Sequence, residues 1–180
     1  MSIEKPVSNN AKQRVMPNET DEVIQTVRDK VLSQIPVAKI ELQYNIEIPK
    51  SDRLKITSSR MATDILRRLF QPNSLELQEQ FLILFLNNSN EIMGYFPISV
   101  GGMTGTVVDV RLVFSAALNC GAVACIASHN HPSGTLKPSA ADKAITKKLG
   151  RAGEFLDIKL LDHIIVTKES YFSFADESLL

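Results

Sequence analysis

The stretch Phe81-Leu82-Ile83-Leu84-Phe85-Leu86 holds six apolar side chains in a row. Successive residues of a strand point to opposite faces, so such a run has no face to offer to water. It is also far shorter than the roughly 20 residues a membrane-spanning helix needs. The polar cluster Asn87-Asn88-Ser89-Asn90 ends it. The run therefore predicts a central strand buried on both faces, turning into a hairpin partner over residues 91–100.

The rest of the chain reads as an α/β domain built around that strand. Residues 38–48 alternate apolar and polar, the pattern of a half-buried strand. Ser59 opens a helix with Met61, Ile65, Leu66, Leu69 and Phe70 on one face, closed by Gln71-Pro72-Asn73. Gly101, Gly102 and Gly105 make a loose connection, and Asp109 caps a helix carrying Leu112, Val113, Ala116 and Ala117. Gly121 starts a further buried strand that runs into His129-Asn130-His131-Pro132-Ser133-Gly134. A helix spans about 139–151 with Gly153 past its end, and residues 158–167 and 170–174 form a closing pair of strands. Ahead of all this, residues 1–20 read as a disordered polar arm and 21–35 as a short amphipathic helix stopped by Pro36. The expected division is an extension over 1–37 and a domain over 38–180.

A length of 180 residues with 44% hydrophobic content suffices for one well-filled core and some extension. Acids and bases balance at 20 each. A protein that grips nucleic acid mainly through phosphates shows a basic excess, so here such binding needs a local patch. Two cysteines, Cys120 and Cys125, make no disulfide framework. The first residues lack the apolar core of a signal peptide and no run is long enough for a bilayer. The expectation is a cytoplasmic protein with no membrane partner.

Chemistry concentrates where the second buried strand ends. In extended backbone, residues two apart point the same way, so His129 and His131 can face one point. Asp142 comes eleven residues after His131, in the first turn of the next helix. Two imidazoles and a carboxylate are a common zinc set that leaves a fourth position for water, whose pKa the metal lowers. Ser139, three residues before Asp142, gives the pattern of a helix-capping pair, a role compatible with metal binding. Two solvated histidines in a polar loop would carry the same H-x-H string. Cys125 shares the strand face of His129 but lies four residues away, about 13 Å along a strand, too far for the same ion.

The string His129-Asn130-His131-Pro132-Ser133-Gly134 with Pro138-Ser139 and Asp142 resembles the RadC-like branch of the MPN/JAMM metalloprotein family. The spacing H-x-H, seven residues, Ser, two residues, Asp is that family's metal pattern. Gly101, Gly102, Gly105 and Thr106, the run Leu161-Asp162-His163, and residues 171–176 extend the likeness over about 38–180. The resemblance implies a three-layer α-β-α domain with a mixed sheet, related in fold to cytidine deaminases. It implies Zn2+ held by His129, His131 and Asp142, with Ser139 orienting substrate or steadying an oxyanion.

The family's active members use a glutamate from an early strand as general base. A rough match of the strand before Gly101 puts that position near Pro97, in an acid-free stretch. Glu91 on the same strand becomes the candidate base if the register shifts, although it lies six residues, roughly 20 Å, from Pro97. A solvated hairpin edge explains Glu91 equally. His163 reads as an interior strand histidine satisfied by hydrogen bonds. Zinc deaminase chemistry is excluded, because H-x-E and P-C-x-x-C are missing.

The leading expectation is a zinc hydrolase acting on a peptide or isopeptide carbonyl, with reduced activity if no glutamate stands at the metal. Its alternatives are a non-catalytic metal-binding module that recognises a protein, and a DNA-associated accessory factor of a mobile element. The last would use Lys143, Lys147, Lys148 and Arg151, which a solvated helix face also explains.

Overall fold

The computed structural model describes residues 19–32, 34, 48–71, 73–102 and 107–180. The chain divides into two compact units, Met1–Glu41 and Leu42–Leu180. In the first, α1 (Glu19–Leu32) is a helix, with Val23, Ile24, Val27 and Val31 exposed along it. The expected arm over 1–20 lies outside the described residues except for 19 and 20, and the expected strand over 38–48 lies outside them except for Ile48.

The second unit follows the order α2 (Ser59–Leu69), β1 (Gln80–Leu86), β2 (Ile92–Val100), α3 (Val110–Cys120), β3 (Ala124–Asn130), α4 (Ala140–Phe155), β4 (Lys159–Val166), β5 (Tyr171–Ser173). The strands form one sheet in the order β2-β1-β3-β4-β5. Only β3 and β4 run parallel, with α4 as their crossover; every other neighbouring pair is antiparallel. The sheet is mixed and helices cover both faces, so the domain is a three-layer α/β fold.

The apolar run in β1 supplies both halves of the core. Phe81, Ile83 and Phe85 pack with Val113, Phe114 and Ala117 of α3 and Leu149 of α4. Leu82, Leu84 and Leu86 point the other way, onto Ala62, Leu66 and Phe70 at α2. Period-two alternation thus sorts one unbroken apolar string into two cores. A one-residue slip would exchange them and carry every polar neighbour to the wrong face.

Some boundaries match those expected and others differ. α2 opens at Ser59 as expected, with Ser58 as its cap, whose hydroxyl accepts the Met61 N–H at 3.2 Å. Asp109 caps α3 as expected, accepting the Arg111 N–H at 2.9 Å, but Leu112 is exposed and Phe114 fills the core instead. Gly121 does not start β3. It ends α3 in the left-handed conformation at φ 67°, which glycine adopts without cost, and the strand begins at Ala124. The last helix runs through Gly153 to Phe155. Gly153 is needed there because a Cβ would lie 2.2 Å from the carbonyl oxygen of Ile158, where the chain folds back toward β4.

Candidate metal centre

Strand pairing decides what meets at one end of the sheet. Phe81 at the start of β1 pairs with His129 near the end of β3. The His131 N–H continues the ladder onto the Val166 carbonyl at 3.0 Å, holding the backbone extended for one residue more. His129 and His131 therefore project to the same face, as their spacing requires. The chain then turns at Gly134 (φ 76°), and Ser139 starts α4.

The first turn of α4 brings the carboxylate. The Ser139 hydroxyl accepts the Asp142 N–H at 3.1 Å, and Asp142 Oδ2 accepts the Ser139 N–H at 2.6 Å, a reciprocal capping box. The same carboxylate reaches the imidazoles: Oδ1 lies 3.1 Å from His129 Nε2 and Oδ2 3.6 Å from His131 Nε2. Capping and the approach to the imidazoles are thus one arrangement, since the cap fixes the rotamer that points at the histidines.

The three side chains offer donor atoms within 4.8 Å of one another, and the two Nε2 atoms are 3.0 Å apart. A tetrahedral ion with bonds of about 2.0–2.1 Å spaces its ligands roughly 3.3 Å apart, so the observed separations suit one small metal ion. The far nitrogens are engaged as well. His131 Nδ1 lies 2.6 Å from the Thr135 carbonyl, which can only accept, so Nδ1 carries the proton and neutral His131 has its lone pair on Nε2. His129 Nδ1 lies 2.9 Å from His163 Nε2. Electrostatics agree with the geometry. Burial pushes the Asp142 carboxyl up, but the His129 and His131 imidazoles beside it overcome this and hold it well below the usual carboxylate range. The Asp142 carboxylate raises the His131 pKa against the effect of burial.

A cavity of about 640 Å³ opens over this cluster, lined by His129, His131, Asp142, Ser139, Phe81, Val107, Val108 and Glu79 among others. Glu79 is the residue sequence reasoning passed over. It precedes β1 and exchanges backbone hydrogen bonds with Gly101 and Gly102 at 2.8 and 3.0 Å, extending the β1–β2 ladder. Two residues before Phe81, it shares that residue's face. The negative charge of Glu79 also acts on His131. Its signal in the sequence is an acid at the mouth of an apolar run; which strand end it meets depends on the β1–β3 pairing.

Glu91 is placed elsewhere. It follows the β1–β2 turn, where its carboxylate accepts the Asn87 amide at 2.7 Å and its backbone bridges to Lys55. The seven residues of β1 separate it from the cluster, about 20 Å of strand. Pro97 sits opposite Leu82, beside a register shift of the edge strand, and does not line the cavity. Cys125 is buried in the core, where desolvation pushes its thiol up to about 12, in keeping with an apolar rather than a ligating role.

A family model described as RadC-like JAB domain matches residues 56–179. The chain belongs to this family. A UPF0758 protein of Flavobacterium johnsoniae is 54% identical over 126 residues, which cover 69% of this chain and 53% of that protein. UPF0758 proteins of Porphyromonas gingivalis (41% over 149 residues, 80% of this chain and 63% of the relative) and Staphylococcus carnosus (40% over 141 residues, 77% and 61%) are also similar. The chain thus spans between about half and two thirds of the length of these relatives. The RadC-like JAB match contains every residue of the cluster, Glu79 included, and leaves α1 outside. Among the described residues no helix is long and apolar enough to cross a membrane.

Proposed function

We propose that this RadC-like JAB domain is a zinc-dependent hydrolase of peptide or isopeptide bonds, with Glu79 as general base. The observation that carries the reading is the shared cavity of Glu79 with His129, His131 and Asp142. A metal set without an acid would suit a binding module; an acid beside it suits hydrolysis.

His129 Nε2, His131 Nε2 and the Asp142 carboxylate would hold the ion. Zinc, when bound, supplies a water of lowered pKa and polarises the substrate carbonyl. Glu79 takes the proton of the attacking water and returns it to the leaving amine nitrogen. The Ser139 hydroxyl accepts from the Asp142 N–H, so its own proton is free to donate to the carbonyl oxygen as charge develops there. Phe81, Val107 and Val108 give the cavity an apolar wall, which favours a peptide with an apolar side chain near the scissile bond and limits water.

The test compares wild type, Glu79→Gln and Glu91→Gln on peptide and isopeptide-linked substrates, with metal content measured in parallel. Glu79→Gln should lose about 10²–10⁴-fold in rate while keeping its metal, and Glu91→Gln should lose nothing. Equal rates for Glu79→Gln and wild type would remove Glu79 from the mechanism. Stoichiometric metal with no hydrolysis by wild type would favour the module that binds metal and recognises a protein. The DNA-associated reading draws on Lys143, Lys147, Lys148 and Arg151, all exposed on α4. It would show as DNA affinity falling steeply with salt.

A further inference from the structure

One histidine of this domain does not line the cavity over the cluster. His163 of β4 is fully buried between the rings of Phe174, stacked at 4.9 Å, and Phe81 at 5.5 Å. It reaches this face because the β3–β4 register shifts after Cys125: Leu160 pairs with Cys125 but Asp162 with Ile126 and His163 with Ala127. One extra residue re-aims the strand, and without it the imidazole would point toward α2.

His163 stands in a chain of three short contacts. Its Nε2 lies 2.9 Å from His129 Nδ1 and its Nδ1 lies 2.6 Å from Thr146 Oγ1, which in turn lies 2.6 Å from the Asp142 carbonyl oxygen. The direction of every bond follows from the last. A carbonyl has no proton to give, so Thr146 donates its single proton to Asp142 and its oxygen must accept from His163 Nδ1–H. Between two phenyl rings and away from water His163 is neutral, which leaves its Nε2 bare. Burial accordingly holds its pKa well below the usual value. A bare Nε2 accepts, so His129 must carry its proton on Nδ1.

We propose that His163, backed by Thr146, is a positioning residue that holds His129 in the Nδ1–H tautomer, so that the His129 Nε2 lone pair is fixed toward the metal. Because the chain ends on the backbone of Asp142, it also ties the strand that carries two ligands to the helix that carries the third. Outer partners of this kind orient metal-bound imidazoles. Here a second histidine and a hydroxyl take the place of the usual carboxylate or backbone carbonyl. The inference rests on the metal reading of the cluster, and it makes a statement about protons that stands without the metal.

Two measurements on the full chain test it. Long-range proton–nitrogen spectra of histidine-labelled protein, metal-free at about pH 8, should show His129 protonated at Nδ1 and His163 protonated at Nδ1. A His129 protonated only at Nε2 would overturn the proposal. Zinc ion is then titrated against a chromophoric chelator. Thr146→Val, which keeps the shape and removes the hydroxyl, and His163→Phe should each weaken zinc binding by about 10–100-fold. His163→Gln should recover part of the loss, since its amide can accept from His129 and donate to Thr146. Melting of the metal-free variants separates this from damage to the fold. If His163→Phe does not fold, Thr146→Val carries the result, and wild-type zinc affinity in that variant would overturn the proposal. If the wild type itself takes up no zinc, the metal reading fails, and the spectra alone decide the role of His163.

Discussion

The side-chain oxygen of Asn130 accepts the backbone N–H of Gln80 at 2.7 Å. The amide of Asn130 also donates to the carbonyls of Leu75 and Gln78 at 2.8 and 3.0 Å. Asn130 is fully buried and alternates with His129 and His131, so it points to the α2 side while they point to the cavity. The segment it clasps is the one that carries Glu79. Asn130 thereby couples the backbone between the two candidate histidine ligands to the position of the acid.

Asn130→Ala should destabilise the fold by about 2–4 kcal/mol, because it leaves buried backbone groups without partners. Metal binding should survive in the folded fraction, while hydrolysis falls by more than that fraction explains. Denaturant melts, metal content and rates on one preparation separate the two effects. A variant as active per folded molecule as wild type would show that Glu79 needs no such clasp.

Ser139→Ala should cost about 1 kcal/mol of stability in the metal-free protein, the usual size of a lost N-cap. Asp142 Oδ2 still accepts the Ser139 backbone N–H in this variant, so the carboxylate keeps its aim and zinc affinity changes little. Ser139→Thr should restore the cap. Unchanged melting of Ser139→Ala would mean that the box contributes only geometry.

Gly153→Ala and Gly150→Ala should act in opposite directions within the same helix. At Gly153 the new methyl meets the Ile158 carbonyl at 2.2 Å, so backbone must move. Overpacking of this kind costs about 1–3 kcal/mol. At Gly150 nothing lies within 4 Å, and the alanine should gain up to about 1 kcal/mol from helix propensity. Equal effects at the two sites would contradict the close approach of α4 and the chain leaving it.

Acid should weaken the metal-free fold through His163. Its folded pKa lies well below its unfolded value, so it contributes stability that is complete above about pH 6.5 and is lost as pH falls toward the folded value. Below about pH 6.5 the unfolded chain takes up a proton there that the buried native imidazole resists, a slope of at most about 1.4 kcal/mol per pH unit. Asp162, raised by burial, works in the opposite sense near the lower end. His131, raised by Asp142, contributes stability that is lost only as pH rises. Subtracting the stability curve of His163→Gln from that of wild type cancels those contributions. A flat difference would place a protonated His163 in the native state.

What could be read along the chain was whatever depends on near neighbours. The six apolar residues from Phe81 announce a strand buried on both faces, because alternation leaves no other solution. His129 and His131 share a direction because extended backbone repeats every two residues, and Ser139 with Asp142 encode their own cap within a single helical turn. Those local rules, with the family pattern, sufficed for the three candidate ligands. Tertiary structure decided the rest. Glu79 becomes part of the site only because β1 pairs antiparallel with β3 so that Phe81 lies beside His129; another register would carry it away, as it leaves Glu91 at the far end of the same strand. His163 and Thr146 become partners of His129 only through the β3–α4–β4 crossover and the one-residue shift in its pairing. Strand register is set by how two cores fill at once, a sum over residues distant in sequence, and no local window contains it.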